Sequence, residues 1–339
     1  MSDLYRRDRN KTLIITEGNH EKHKLLKLLL LSFPEINITE DNIVIYESNI
    51  YNLYNKIVKK YGDDWKEQDI DLPKDVSDWK HLDIELSKIN FTNIILVFDY
   101  ERHDPNFSEE IICDFQEYFS DINDNGQLFI NYPMVESYVD IDINDLCKFE
   151  NSRFRSNIQN GDEYKSTVRS NSKVLEIFSV LGKFTDEIND YVCDLFKAMA
   201  IAEQILKLPQ TSDLRLKIFN ILSLEIDEDS ANTLSHKYAN TIGKFSVNGD
   251  SYFSYTRKNF FEIIISNIKK AYKLQGGMYN ITLEKVKDVY FEELNLFETL
   301  LSQNLASKEI STGFIWILNT SVFIAANYTG FWNELDKHE

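Results

Sequence analysis

The segment Asn93–Phe98, NIILVF, constrains the fold more than any other stretch of the chain. From Ile94 to Phe98 every residue is large and apolar, so the strand it predicts has no polar face and is covered on both sides. Strands of this kind belong to parallel sheets whose crossover helices lie on each face. Thr12–Thr16 (TLIIT), Ile43–Tyr46 (IVIY) and Gln127–Asn131 (QLFIN) repeat the pattern. Helical spacing separates them over His20–Leu31, Tyr51–Tyr61 and about Ser108 to Phe119, and a polar stretch holding Asp78 to Ile89 precedes the third strand. The predicted order is β-α-β-α-β-α-β. Right-handed crossovers place all four strand C-termini on one edge, where open α/β sheets hold their ligands.

That edge is acidic. Glu17 follows the first strand, Asp99 and Glu101 follow the third, Asp104 comes three residues later, and Glu136 lies just past the fourth in NYPMVESYVD. Alternation along an extended chain would put Asp99 and Glu101 on the same side, about 6 to 7 Å apart, close enough to hold one or two hard cations. Like charges so gathered raise one another's pKa, and a divalent cation relieves the repulsion. Mg²⁺ or Mn²⁺ suits such oxygen ligands, and paired metals of this kind activate water and steady a leaving oxygen in phosphodiester cleavage. Lys22, Lys24, Arg102 and His103 border the edge and are placed to meet phosphate.

From about Asn151 the composition changes. Residues 151–173 are polar and carry Arg153, Arg155, Lys165, Arg169 and Lys173. This reads as an exposed linker or mobile loop. Helical spacing then dominates, which divides the chain into an α/β domain over 1–145 and a mostly α-helical domain over 146–339, with 146–173 as the basic linker. No fixed-period repeat occurs. The run FIWILNTSVFIAA near the C-terminus is broken by Asn319, Thr320 and Ser321 and falls short of the about 20 residues a membrane span needs, so it reads as core.

Totals narrow the function. A net charge of −18 argues against a broad nucleic-acid-coating surface, so any such contact is local or supplied by a partner. Cys113, Cys147 and Cys193 are too far apart for a zinc ribbon and odd in number, which fits a reducing cytoplasm. The N-terminal MSDLYRRDRNK lacks the apolar stretch of a signal peptide. HEKHK, from His20 to Lys24, fails the zinc-protease spacing because its histidines stand three apart and not four. No phosphate-binding or dinucleotide-binding glycine motif is present. A receiver-like phosphoacceptor would need a paired acid after the first strand and a lysine after the last, and Glu17 stands alone there.

With Glu-Gly after the first strand (TEGNHEKHKLL) and an acidic pair after the third (VFDYE), residues 10–140 resemble the Toprim domain of topoisomerases, primases and OLD-type nucleases. The resemblance implies a general acid/base or metal-ligand role for Glu17, Mg²⁺ binding by Asp99 and Glu101, and metal-dependent endonuclease activity on DNA or RNA, tRNA included. Here the family's Asp-x-Asp is Asp-x-Glu, and Glu is longer by one methylene, which puts the second metal in question. NYPMVESYVD is similar to the turn in Toprim-like effectors of two-gene anti-phage defence systems, whose partner is an ABC-type ATPase. The expectation is therefore a cytoplasmic nuclease with Glu17, Asp99, Glu101, Asp104 and Glu136 as metal ligands, working with that ATPase, with a second copy of the chain as a further possible partner and no membrane. A non-catalytic Toprim-like scaffold subunit is the alternative.

Overall fold

The computed structural model describes residues 11–83, 86–155, 161–245, 249–309 and 312–333. The N-terminal MSDLYRRDRN and residues 156–160 of the basic segment therefore lie outside the described residues. Five strands form in the first part of the chain: β1 (Thr12–Thr16), β2 (Ile43–Ile45), β3 (Asn93–Asp99), β4 (Ser120–Asp121) and β5 (Gly126–Tyr132). β6 (Arg153–Arg155) and β7 (Phe314–Trp316) make a separate antiparallel pair, and β8 (Leu318–Asn319) returns to the first sheet. The main sheet runs β2-β1-β3-β5-β4, with β8 also on β5. β2, β1, β3 and β5 are mutually parallel, while β4 and β8 run antiparallel to β5. The fold is α/β with a mixed, mostly parallel sheet flanked by helices and followed by a helical C-terminal region, as the apolar runs predict.

All five residues of β1 are buried, as are Ile94 through Asp99 in β3, so both faces of these strands are covered. The helical segment after β1 packs against the long helix Tyr252–Leu274, with Ser32 Oγ 2.8 Å from Thr256 Oγ1 and Arg257 paired to both oxygens of Glu35 at 2.9 and 2.7 Å. Ile50–Tyr61 and Glu109–Tyr118 pack on each other, with Trp65, Phe115 and Tyr54 in mutual ring contact. Among the described residues no helix is long and apolar enough to cross a membrane.

Three features depart from the sequence reading. The polar stretch before β3 contains the helix Leu72–Lys80, started by Asp71, whose side chain accepts from Lys74 N at 3.2 Å. The basic segment is not simply a loop, because it contributes β6 and the helix Gly161–Asn171, whose Tyr164 is buried and donates to Asp140 Oδ2 at 2.9 Å. Finally, the apolar run near the C-terminus is core, yet part of it joins the first sheet through Asn131↔Asn319 and Tyr132↔Leu318.

That last contact builds a buried amide network behind the strand ends. Asn319 donates to Val135 O (2.9 Å) and Ser137 Oγ (3.1 Å), and its N–H donates to Asn267 Oδ1 at 2.7 Å. Ser321 Oγ donates to Asn131 Oδ1 at 2.9 Å, and Asn131 Nδ2 reaches Asp99 Oδ1 at 3.3 Å. The C-terminal segment thus fixes the end of β5 and, through Asn131, the acid at the end of β3.

β5 begins at Gly126, with φ +118°, where a Cβ would stand 2.8 Å from Leu96 Cδ1 and 3.3 Å from Ile94 O of β3. Gly126→Ala is expected to lower unfolding free energy by about 2 kcal/mol or more, since the clash and the unfavourable φ add. A chemical-denaturation midpoint equal to wild type would contradict this.

Candidate functional site

In-register parallel pairing positions the acids. Thr16 pairs with Val97 and Asp99 with Asn131, so β1, β3 and β5 end at the same edge. Glu17 extends the ladder by one bond, its N–H donating to Val97 O at 3.0 Å, and its carboxylate turns to accept from Asp99 N at 3.0 Å. A cleft of about 310 Å³ opens there, its polar lining including Glu17, His20, Glu21, Asp99, Glu101, His103, Asp162 and Lys165.

Glu101 reaches the cleft by a route that strand alternation does not foresee. The chain leaves β3 after Asp99, Tyr100 is fully buried with its hydroxyl donating to Asn304 Oδ1 at 2.7 Å, and Glu101 takes φ +41°. A left-handed backbone turn, in place of extended geometry, therefore carries Glu101 to Glu17 and Asp99. Asn49 Nδ2 lies 3.3 Å from Glu101 Oε2 and 2.7 Å from Asp104 Oδ2, tying both acids to the start of Ile50–Tyr61. Asp104 is not among the residues lining the cleft. Its other oxygen accepts from Asn106 N at 2.7 Å, which makes it a turn-forming residue.

Glu136 stands beside the cleft, bound to His20. His20 Nδ1 is 3.0 Å from Glu136 Oε1 and its Nε2 is 3.1 Å from Lys24 Nζ. Lys24 can only donate, so Nε2 accepts and Nδ1 donates to Glu136. The other oxygen, Glu136 Oε2, is buried with no hydrogen-bond partner among the described residues.

The remaining expected phosphate contacts separate. His103 lines the cleft. Lys22 does not, because its ammonium donates to Ile43 O at 3.0 Å and pins the first helical segment to β2. Arg102 stacks over Phe107 at 4.2 Å and donates to Ser307 Oγ at 3.2 Å, facing the helix Leu296–Ser307. Lys24 sits outside the cleft, behind His20.

Three site residues escape the sequence reading. Glu21 is 3% exposed and accepts from Gly18 N at 2.9 Å, the reach-back of a glutamate at the third helical position, and the Gly-x-x-Glu spacing was its signal. Lys165 enters from Gly161–Asn171. Asn131 needs no charge to matter, since it closes the edge between Asp99 and Ser321.

The electrostatics of the cluster are unfavourable when fully charged. Burial, then the charge of Glu101, hold Glu17 well above the usual carboxylate range, against the lowering effect of the Asp99 N–H. Burial, then Glu17, Glu21, Glu136 and Glu101 in turn, push Asp99 well up. Burial also raises Glu21, opposed by the hydrogen bond from Gly18 N. Burial raises Glu136 too, but the His20 hydrogen bond and Lys165 outweigh it and leave its carboxyl below the usual range.

The donor set fits a hard divalent cation. It consists of carboxylate oxygens drawn together out of water, and one of the neighbouring carboxylate oxygens, Glu136 Oε2, lacks a donor. Among the described residues no three His, Cys, Asp or Glu side chains already stand as a closed metal cage. Mg²⁺ bound through one or two carboxylates and several waters needs none. No family model, curated protein or solved structure matches the chain.

Glu17 and Asp99 carry folded-state pKa values above their ordinary 4.5 and 3.8. The stability they contribute is full below those ordinary values and is lost as pH rises through the raised ones. In chelator at pH 8, Asp99→Asn is therefore expected to raise Tm by about 2 °C, and the gain disappears near pH 4. Differential scanning calorimetry at the two pH values checks this, and a lower Tm for the variant at pH 8 would contradict it.

Proposed function

We propose that the chain is a Mg²⁺- or Mn²⁺-dependent nuclease that cleaves DNA or RNA phosphodiesters. One observation carries the reading: Glu17 and Asp99, distant in sequence, meet through the 3.0 Å contact of Glu17 Oε2 with Asp99 N in a cleft where their charges need a cation. When bound, the metal would supply Lewis-acid polarisation of a phosphate oxygen and a more acidic water. Glu17, Asp99, Glu101 and Glu21 are the residues that would hold it.

The chain's own groups perform the rest. Asn131 and Asn49 orient Asp99 and Glu101, so the oxygens facing the cleft are set before substrate arrives. Glu136 fixes the ring of His20 at the rim. Lys165 and His103 offer positive or hydrogen-bonding groups to a phosphate, a local contact that suits a chain of charge −18.

The resemblance of TEGNHEKHKLL, VFDYE and NYPMVESYVD to Toprim-like effectors supports a role as toxic effector of an anti-phage defence system under an ABC-type ATPase. A scaffold subunit is the second reading, favoured by the Asp-x-Glu departure and by Asn49 holding Glu101. Metal binding separates the two. Titration calorimetry is expected to show Mn²⁺ binding that Asp99→Ala abolishes, whereas a scaffold gives the same heats for both proteins.

Purified protein is expected to cut plasmid or tRNA with Mg²⁺ or Mn²⁺, and Asp99→Ala or Glu17→Ala to lose about 100-fold or more of the rate, since even residues behind a metal ligand cost 10- to 100-fold. Asp104→Asn, a turn residue, is expected to change the rate by less than about threefold. Equal cutting by wild type and Asp99→Ala would refute the site.

A further inference from the structure

A second cavity, of about 540 Å³, lies between the first helical segment and the helices Val180–Val192 and Leu195–Leu206. Its walls are mostly apolar: Leu28, Tyr138, Leu175, Phe178, Phe196 and Met199. It is not isolated from the acidic cleft. A narrow space of about 50 Å³ shares Lys24, Tyr138 and Leu175 with this cavity and His20 and Val135 with the cleft. Carboxylate cleft, neck and apolar cavity thus lie side by side, with walls in common.

Charge changes from one space to the next. Arg169 and Lys24 line the neck together with Glu136, and His23, Lys183 and Asp186 stand at the rim of the cavity. At the far side Lys27 is tied to Glu40 at 2.6 Å and Glu203 at 3.0 Å, an ion pair that closes the floor. The neck therefore offers two cations against one carboxylate to a phosphate, and the cavity offers rings.

Two of the hydroxyls inside are already committed. Thr185 Oγ1 donates to Leu181 O at 2.9 Å and Ser179 Oγ to Glu176 O at 3.1 Å. A ligand entering here meets mainly apolar and aromatic faces, with the Tyr138 hydroxyl as one open hydrogen-bonding group, which is how sequence-tolerant stacking sites treat nucleobases.

Gly182 supplies an independent observation. It lies inside a helix, where glycine is unfavourable relative to alanine, and it lines the cavity. A Cβ there would meet nothing within 4 Å. Gly182 is exposed and no neighbour in the fold requires the missing side chain, so a larger side chain can stand there over the cavity.

We propose that this cavity receives a nucleobase of a single-stranded substrate whose neighbouring phosphates run through the Lys24–Arg169 neck to the acidic cleft. The inference rests on the nuclease reading of that cleft and names its substrate as single-stranded or locally unpaired nucleic acid, bound with little base preference.

Fluorescence anisotropy with a single-stranded 12-mer oligothymidine in Ca²⁺ tests it on the full chain, alongside the same oligonucleotide carrying one abasic site at each position in turn. Wild type and Gly182→Ala are expected to bind alike. Gly182→Phe, which fills the cavity from a position with open space, is expected to bind about tenfold more weakly. One abasic position is expected to weaken wild type by about the same factor and Gly182→Phe no further. Should Gly182→Phe not reach wild-type Tm, Phe196→Ala, at a residue 79% exposed, replaces it with the same expected loss.

A folded cavity variant that binds as wild type does, or a wild type that fails to bind the oligonucleotide, overturns the inference. Occupancy by an apolar side chain of a protein partner would give the first of these results. Cleavage in Mg²⁺ is read in parallel. Asp99-dependent cutting without the abasic effect removes the base pocket alone, and the abasic effect without Asp99-dependent cutting removes the nuclease reading alone.

Discussion

The parallel register of β1 on β3 sets everything at the candidate site. Because Thr16 pairs with Val97, Glu17 comes directly past β1 beside the end of β3, its N–H donating to Val97 O and its carboxylate accepting the Asp99 N–H. That bond holds an anion over the end of a buried strand, beside a second anion that Asn131 holds from the other side. A slip of one residue would turn Asp99 to the opposite face and separate the pair. The apolar core therefore does more than stabilise the sheet, since its packing keeps two charges near each other that would otherwise move apart.

Much of this was legible because the physics is local. Short β-branched runs such as Ile94–Phe98 without polar alternation read as strands covered on both sides, and the order of strands and helices implies a common edge. Glu17 and Asp99 were found by asking which acids fall directly after such runs. Glu101 was found for a reason that does not hold: its side chain arrives by a turn at φ +41° and not by alternation.

What escaped was non-local or sparsely encoded. β8 is two residues long and is recognisable only through its partner β5. The helix Gly161–Asn171 buries only Tyr164 and Val168, too thin an apolar stripe to announce a helix in a basic stretch, so Lys165 read as part of a linker. Lys22 and Arg102 show the opposite error. Sequence adjacency to the acids placed them at the site, but a long side chain can swing to a backbone carbonyl or an aromatic face, and Ile43 O and Phe107 took them.

Whether the gathered carboxylates bind a cation decides what this edge of the sheet does. A crystal soaked in Mn²⁺, with anomalous diffraction recorded at a wavelength where manganese scatters strongly, answers this directly. The predicted result is an anomalous peak in contact with carboxylate oxygens of both Glu17 and Asp99. A map that resolves both side chains and shows no manganese between them would contradict the account.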